Sequence, residues 1–368
     1  MTADPALRLL AAAKPPGGQR CLLIGTGADA DLLRAHAAGY PECYVHGSEQ
    51  PGHDGTRAAA AAISGGITCL LGDLPCAERS PECGEDSLPG TRFPENHFDR
   101  VLLRLGRGTA QVNSALSEAF RMLRVGGELI VAGGNQEGIK SFAKRAEAHF
   151  GNLDILAIKS SCRLLRMRKE AAMPAAPVED PGYYRSLRHI LAYPGGEVAY
   201  LTKPGVFAYR GTDAGTALLG RHLPDCTGRK VLDLGCGSGP LSLAAFARGA
   251  AEVLACDNSA IALACAERNF AAAGLPGRVL CSDLGTGAPG GFDLIISNPP
   301  FHADGETDYS LPDRVVEAVA RLLRPGGEAY LVANQFLDYA VHARRRFQTC
   351  ANPARENGYS IHHMVLPA

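Results

Sequence analysis

Val231-Leu232-Asp233-Leu234-Gly235-Cys236-Gly237-Ser238-Gly239-Pro240 is the stretch on which the fold turns. The apolar run reads as a buried strand, the three glycines as a turn, and Pro240 suits the first position of a helix, where its missing N–H is no loss. A strand that breaks into a glycine turn and then a helix opens a β-α unit, and its backbone can approach a ligand closely. A nicotinamide dinucleotide fingerprint does not fit, because the third glycine comes one residue early and proline stands at 240. Taken alone, such a loop is also an ordinary turn of any α/β domain.

Short apolar runs follow at Val253 to Cys256, Val279 to Cys281, Leu294 to Ser297 and Ala329 to Val332. They alternate with helix-like stretches, the pattern of a parallel sheet. Ser259 is placed to cap one such helix, Ile261, Ala264, Cys265 and Phe270 fall near helical spacing, and Gly274 closes it. Tyr359 to Leu366, after Asn357-Gly358, reads as a final strand pairing antiparallel at the far side of the sheet.

The arrangement occurs twice. Cys21 to Ala28 matches Val231 to Ser238, and Gly72-Asp73-Leu74 matches Ser282-Asp283-Leu284, both at an offset of 210. Phe98-Asp99 matches Phe292-Asp293 at 194, and Leu123 to Glu128 matches Leu323 to Glu328 at 200. Collinear matches at nearly constant spacing mean two tandem copies of one domain, which agrees with 368 residues at roughly 150 per domain. Between them Ala171 to Tyr184, rich in Ala and Pro, reads as a linker.

Composition narrows the class. Hydrophobic residues at 46% and charged residues at 20% belong to a folding, globular chain. Lys plus Arg (37) against Asp plus Glu (38) leaves no global field for a polyanion, so any basic surface is local. The 12 cysteines include no C-x-x-C pair, which argues against a zinc ribbon or a disulfide framework and for small buried apolar residues. The first residues lack the charged and apolar regions of a signal peptide, and no run reaches membrane length, so the expected location is cytoplasmic.

Open parallel sheets bind ligands at the carboxyl ends of their strands. Asp257, 22 residues after Gly235, ends strand two, where a carboxylate can accept from both hydroxyls of a ribose. Asp283 ends strand three, where it can accept from an adenine amine. Each acid alone is more often a cap or a solvated turn residue, but with the glycine loop they outline an adenosine-shaped site. Strand four ends in Asn298-Pro299-Pro300-Phe301, the most specific signal in the chain. Two prolines remove two donors and fix the backbone, so the side-chain oxygen of Asn298 and the carbonyl of Pro299 form a receptor for the hydrogens of an exocyclic NH2, with Phe301 to stack on its ring. Acceptors that hold those hydrogens draw the nitrogen toward a tetrahedral shape and aim its lone pair at an electrophile.

These residues resemble the S-adenosylmethionine-dependent class I methyltransferases that modify exocyclic amines. With Pro204-Gly205-Val206-Phe207 and Asp213-Ala214-Gly215-Thr216 ahead of the glycine loop, the chain is similar to the tandem-domain ribosomal RNA guanine-N2 methyltransferases, and the intact Pro-Gly-Val-Phe is nearer the small-subunit 16S form. His302 extends the motif as in that family. The resemblance implies an α/β fold of two tandem class I methyltransferase (Rossmann-like) domains, each a mostly parallel seven-stranded sheet with an antiparallel last strand. Residues 1–170 would be a degenerate copy, 171–203 a linker and lead-in, and 204–368 the catalytic domain. It implies S-adenosylmethionine as cofactor, held by Asp233, Gly235, Cys236, Gly237, Gly239, Asp257, Asn258, Asp283 and Leu284 with Phe207 and Thr216. A flipped guanine of ribosomal RNA or of the small subunit would meet Asn298, Pro299, Pro300 and Phe301. No metal and no membrane partner is implied, and the working form would be a monomer whose joined copies imitate a dimer. Transfer to 23S RNA, DNA adenine or a protein glutamine, or a non-catalytic RNA-binding or ribosome-assembly role, are the alternatives.

The first copy lacks the chemistry. Gly25-Thr26-Gly27-Ala28-Asp29 replaces the third glycine by an acid, Gly47 stands where Asp257 does, and Arg104-Leu105-Gly106-Arg107 replaces Asn-Pro-Pro-Phe, while Asp73 persists opposite Asp283. Residues 140 to 170 carry eight Lys or Arg against three acids, an excess that suits phosphate contact as well as a merely solvated face. The candidates are Lys140, Lys144, Arg145, Arg163, Arg166 and Arg168, with Arg344 and Arg345 in the second copy.

Overall fold

The computed structural model describes residues 4–13, 20–24, 42–47, 67–71, 95–106, 109–176, 187–203, 205–299, 302–303, 306–307, 311–337 and 339–368. The chain divides into two compact units, Met1–Arg185 and Ser186–Ala368.

The first unit begins with the helix Pro5–Ala12, whose N-cap is Asp4. Its strands are β1 (Arg20–Ile24), β2 (Glu42–Gly47), β3 (Ile67–Leu71), β4 (Phe98–Arg104), β5 (Leu123–Gly134), β6 (Asp154–Lys159) and β7 (Cys162–Arg168). They form one seven-stranded sheet in the order β3-β2-β1-β4-β5-β7-β6, in which β7 runs antiparallel to both neighbours. Helices Thr109–Met122 and Ile139–Phe150 bury apolar faces on it, Phe120, Met122 and Phe142 among them.

The second unit opens with a hairpin of β8 (Leu187–Tyr193) and β9 (Gly196–Thr202). Its sheet contains β10 (Lys230–Leu234), β11 (Glu252–Asp257), β12 (Arg278–Cys281), β13 (Phe292–Ser297), β16 (Leu323–Asn334), β17 (Thr349–Ala351) and β19 (Tyr359–Val365), ordered β12-β11-β10-β13-β16-β19-β17. The pair β14 (His302–Ala303) and β15 (Glu306–Thr307) stands apart, and β18 (Arg355–Glu356) adds to β19, making the main sheet eight-stranded. The central strands are parallel and β19 is antiparallel to β16. The two sheets therefore share one topology, and the position-by-position register repeats too. Gly47 pairs with Leu71 as Asp257 pairs with Cys281.

The repeated Leu-Arg-x-Gly-Gly-Glu has a physical reason in both units. Arg124 donates to Asp99 and Arg324 to Asp293, and each aspartate also accepts the first backbone N–H of its unit's central strand, from Arg20 or Lys230, at 2.8 Å. A Cβ on Gly127 would lie 2.9 Å from the Arg124 carbonyl, and one on Gly327 2.9 Å from that of Arg324. Only glycine fits there.

Three expectations need correction. Residues 187–202 are not lead-in but a packed hairpin, with Leu191 and Tyr200 inside the second unit's core and Asn269 hydrogen-bonded to both backbone groups of Leu201. The final strand is not outermost, because β17 lies outside it; three residues are too few to show alternation in the sequence. The fifth strand is also much longer than the Ala329 to Val332 run, since a register shift lets it begin at Leu323. Among the described residues no helix is long and apolar enough to cross a membrane. Cys21, Cys162, Cys226, Cys236, Cys256 and Cys265 are buried, and burial pushes the Cys256 thiol up to about 12, so these behave as apolar residues rather than nucleophiles.

Candidate active site

A cavity of about 420 Å³ opens at the carboxyl ends of β10, β11, β12 and β13, the size of a small-ligand site. Its floor is the glycine loop. Gly235, Gly237 and Gly239 all have positive φ (76°, 55° and 82°), which accounts for glycine at each. The N–H groups of Gly235 and Cys236 donate to the Cys256 carbonyl at 2.7 and 2.9 Å, tying the loop to β11.

Asp257 joins loop and helix. Its Oδ2 accepts from Gly237 N at 2.9 Å and its Oδ1 from Ser259 N at 2.8 Å. Burial raises the carboxyl from its usual value, while these backbone bonds oppose the rise. Asn258, Ser259 and Leu284 line the same wall, and Leu284 adopts a φ of 47°, strained for a leucine, with its carbonyl accepting from Arg321. Asp283 is at the rim, where Oδ2 accepts from Arg314 Nη2 at 2.8 Å. Phe207 lines the cavity and is 63% exposed.

Asn298 and Pro299 line the cavity beside Gly235 and Asp257, as the amine-receptor reading requires. The two hydrogens of Asn298 Nδ2 are directed to Asp213 Oδ2 and Thr216 Oγ1, both at 2.9 Å. The side-chain oxygen makes neither of these bonds. Pro204, Pro300 and Phe301 lie outside the described residues, as do Gly25 to Asp29, Asp73 and Arg107 of the first copy.

Two residues assigned to the cofactor do not reach the cavity. Asp233 is fully buried beneath the loop, accepts from Ser242 Oγ at 2.6 Å, and has no partner for Oδ1; burial first, and then the charge of Asp257, pushes it up to about 7. Gly239 serves packing, since a Cβ there would come 3.2 Å from that of Ala266. Thr216 borders the cavity, but its hydroxyl is taken up by Asn298. Tyr200, Asp213, Ser259 and Tyr359 are among the cavity residues that went unassigned in the sequence. Asp213 had a local signal, the Asp-x-x-Thr spacing of a helix cap, and its Oδ2 does cap Ala214–Arg221 through Thr216 N at 3.0 Å.

In the first unit the position of Asn298 is taken by an arginine. Arg104, in the place of Asn298, makes a bidentate pair with Glu137 at 2.8 and 2.7 Å and a bond to Asp4 at 2.7 Å. Its basic residues are also partly engaged: Arg166 pairs with Asp154, Arg168 with Glu128, Arg145 donates to Asn113 and Arg163 to Asn135. Lys140 and Lys144 stand exposed one turn apart on their helix, and Arg344 and Arg345 are exposed in the second unit.

The Methyltransferase small domain family model matches residues 197–363. Ribosomal RNA small subunit methyltransferase C of Pseudomonas entomophila (strain L48) is 34% identical over 305 residues, 80% of this chain and 90% of that protein. The chain belongs to that methyltransferase family. The Vibrio vulnificus (strain CMCP6) member is 32% identical over 270 residues, 73% of this chain and 78% of its own. The solved T. thermophilus 16S rRNA N2 methyltransferase RsmC, in complex with AdoMet and guanosine, superposes with a TM-score of 0.79 at 26% identity over 99% of this chain and 92% of that one. Membership accounts for the two class I methyltransferase units and for a cavity that suits S-adenosylmethionine. Glycines shape its floor and a buried carboxylate stands at the end of β11. Among the described residues no group of His, Cys, Asp or Glu is arranged to hold a metal.

Proposed function

We propose that the second unit transfers a methyl group to the exocyclic N2 amine of a guanine in 16S ribosomal RNA. The observation that carries this reading is the Asn298 amide, which lines the cavity beside Pro299 with its hydrogens held by Asp213 and Thr216, so that its oxygen would be the end offered to a substrate amine.

S-adenosylmethionine supplies a methyl group activated by an adjoining sulfonium. Asp257 would hold its ribose hydroxyls, the 235–239 loop its methionine part, and Asn258, Asp283 and Leu284 would border its base. Asn298 Oδ1 and the Pro299 carbonyl accept the two hydrogens of the guanine amine, which takes the nitrogen lone pair out of conjugation and fixes its direction. A carbon–nitrogen bond forms as the carbon–sulfur bond breaks, and the nitrogen, now cationic, gives a proton to water. No strong base is needed, so positioning does the work. Phe301 would stack on the flipped base. Lys140, Lys144, Arg344 and Arg345 would meet RNA phosphates, their exposure being what supports them. The working form would be a cytoplasmic monomer.

Asn298→Ala, assayed by tritiated-methyl transfer to small subunits lacking the mark, should lose about 100-fold or more in kcat while calorimetric affinity for S-adenosylmethionine stays within a few-fold. Equal losses of both would refute the receptor role. Methyl appearing in DNA or protein instead of RNA would refute the substrate.

A further inference from the structure

A carboxamide has two ends of similar size and opposite chemistry, and its neighbours decide which end faces a cavity. For Asn298 those neighbours are Asp213 and Thr216, and they are not equivalent. A hydroxyl both gives and takes a hydrogen bond, so Thr216 would accept either orientation of the amide. A carboxylate only accepts, so Asp213 is compatible with Nδ2 alone. Its negative charge, drawing on the N–H, also adds electron density to Oδ1 at the other end of the conjugated group. That is the end an amine turning cationic would touch.

The tandem copy supplies an independent view. Asp4 caps its helix as Asp213 does, with Oδ1 accepting from Ala6 N at 2.8 Å, and Oδ2 accepts from Arg104 Nε at 2.7 Å. Arg104 occupies the position of Asn298, so in each unit a cap aspartate clasps the residue at the end of the fourth strand. In the first unit the clasp holds a guanidinium, which has nothing to accept with. In the second it holds an amide whose oxygen remains available. Gly215 makes room for the clasp: a Cβ there would lie 3.0 Å from Asp213 Oδ2 and 2.9 Å from Tyr359 Cδ1.

We propose that Asp213 is the positioning residue that turns the acceptor end of Asn298 toward the substrate amine, a role that rests on the reading of Asn298 as amine receptor. Asp213→Ser keeps a good helix cap but replaces the carboxylate with a second ambivalent hydroxyl, so the amide can turn over. With tritiated S-adenosylmethionine and small subunits lacking the mark, kcat should fall at least about tenfold, while KM for subunits and calorimetric cofactor affinity stay within about threefold. In an Asn298→Ala background the same change should have almost no further effect, because nothing is left to position. Asp213→Asn, whose amide oxygen can replace Oδ2 at both the helix cap and the Asn298 contact, should instead keep most of the kcat, a contrast that mere instability of the serine variant would not produce. Losses that multiply in the double variant, or a kcat near wild type for Asp213→Ser while Asn298→Ala is crippled, overturn the role of Asp213 alone. Full activity of Asn298→Ala would instead overturn the reading beneath it.

Discussion

Asp233 and Asp257 belong to neighbouring strands of one sheet, and burial separates their roles. Asp257 reaches the cavity with both oxygens already bonded to backbone N–H groups, whereas Asp233 is sealed beneath the loop with Oδ1 unpartnered. Burial holds the Asp233 carboxyl up at about 7, above the roughly 3.9 of an unfolded chain. Such a group favours the folded state fully below about pH 4, and that contribution is lost as pH rises to about 7. Asp233→Asn removes the titration. The melting temperature of the variant minus that of wild type should therefore grow by several degrees between pH 5 and pH 8, about 2–4 °C per kcal/mol for a unit of this size. A gap that stays constant over that range would mean the buried acid is ionised throughout. The strand-end position of both acids was legible in the sequence. Their division was not, because it depends on Ser242 and the packing above it.

At the level of elements, signals set within a few residues were readable. Ser259 caps the helix Ala260–Ala272, its Oγ accepting from Ala262 N at 3.4 Å, and Gly274 follows the helix with a φ of 65°. The β8–β9 hairpin was not readable, because its pattern alternates weakly and its inward residues, Leu191 and Tyr200, gain meaning only from the helices they meet. The glycine cradles at the start of β5 and β16 are the element best explained by the repeat. Gly127→Ala and Gly327→Ala each drive a Cβ against backbone carbonyls, which cannot swing aside as a side chain can. Each should destabilise its own unit by about 2 kcal/mol or more, and thermal unfolding of the two variants measures it. Unchanged melting in both would show that the strand start shifts at little cost.

Over the whole molecule, chemistry and duplication part company. Every described residue of the cavity lies in Ser186–Ala368, and in the first unit the position of Asn298 is held by Arg104 in its pair with Glu137. We predict that residues 186–368 produced alone keep calorimetric affinity for S-adenosylmethionine within a few-fold, since no binding group is removed. Their affinity for ribosomal RNA should fall, with a shallower dependence on salt, because the phosphate contacts proposed for Lys140 and Lys144 are gone. RNA binding as tight and as salt-dependent as that of the full chain would remove the gripping role from the first unit.

The order of β-α units, their duplication, the glycine loop and the Asn-Pro-Pro-Phe motif were all legible in the sequence, because hydrophobic period, positive φ and missing N–H groups act over a handful of neighbouring residues. Which carboxylates face the cavity, and which groups hold the Asn298 amide, was decided only by the tertiary structure. Asp213 and Asn298 are 85 residues apart, and the direction of an amide depends on what the fold brings to its other end.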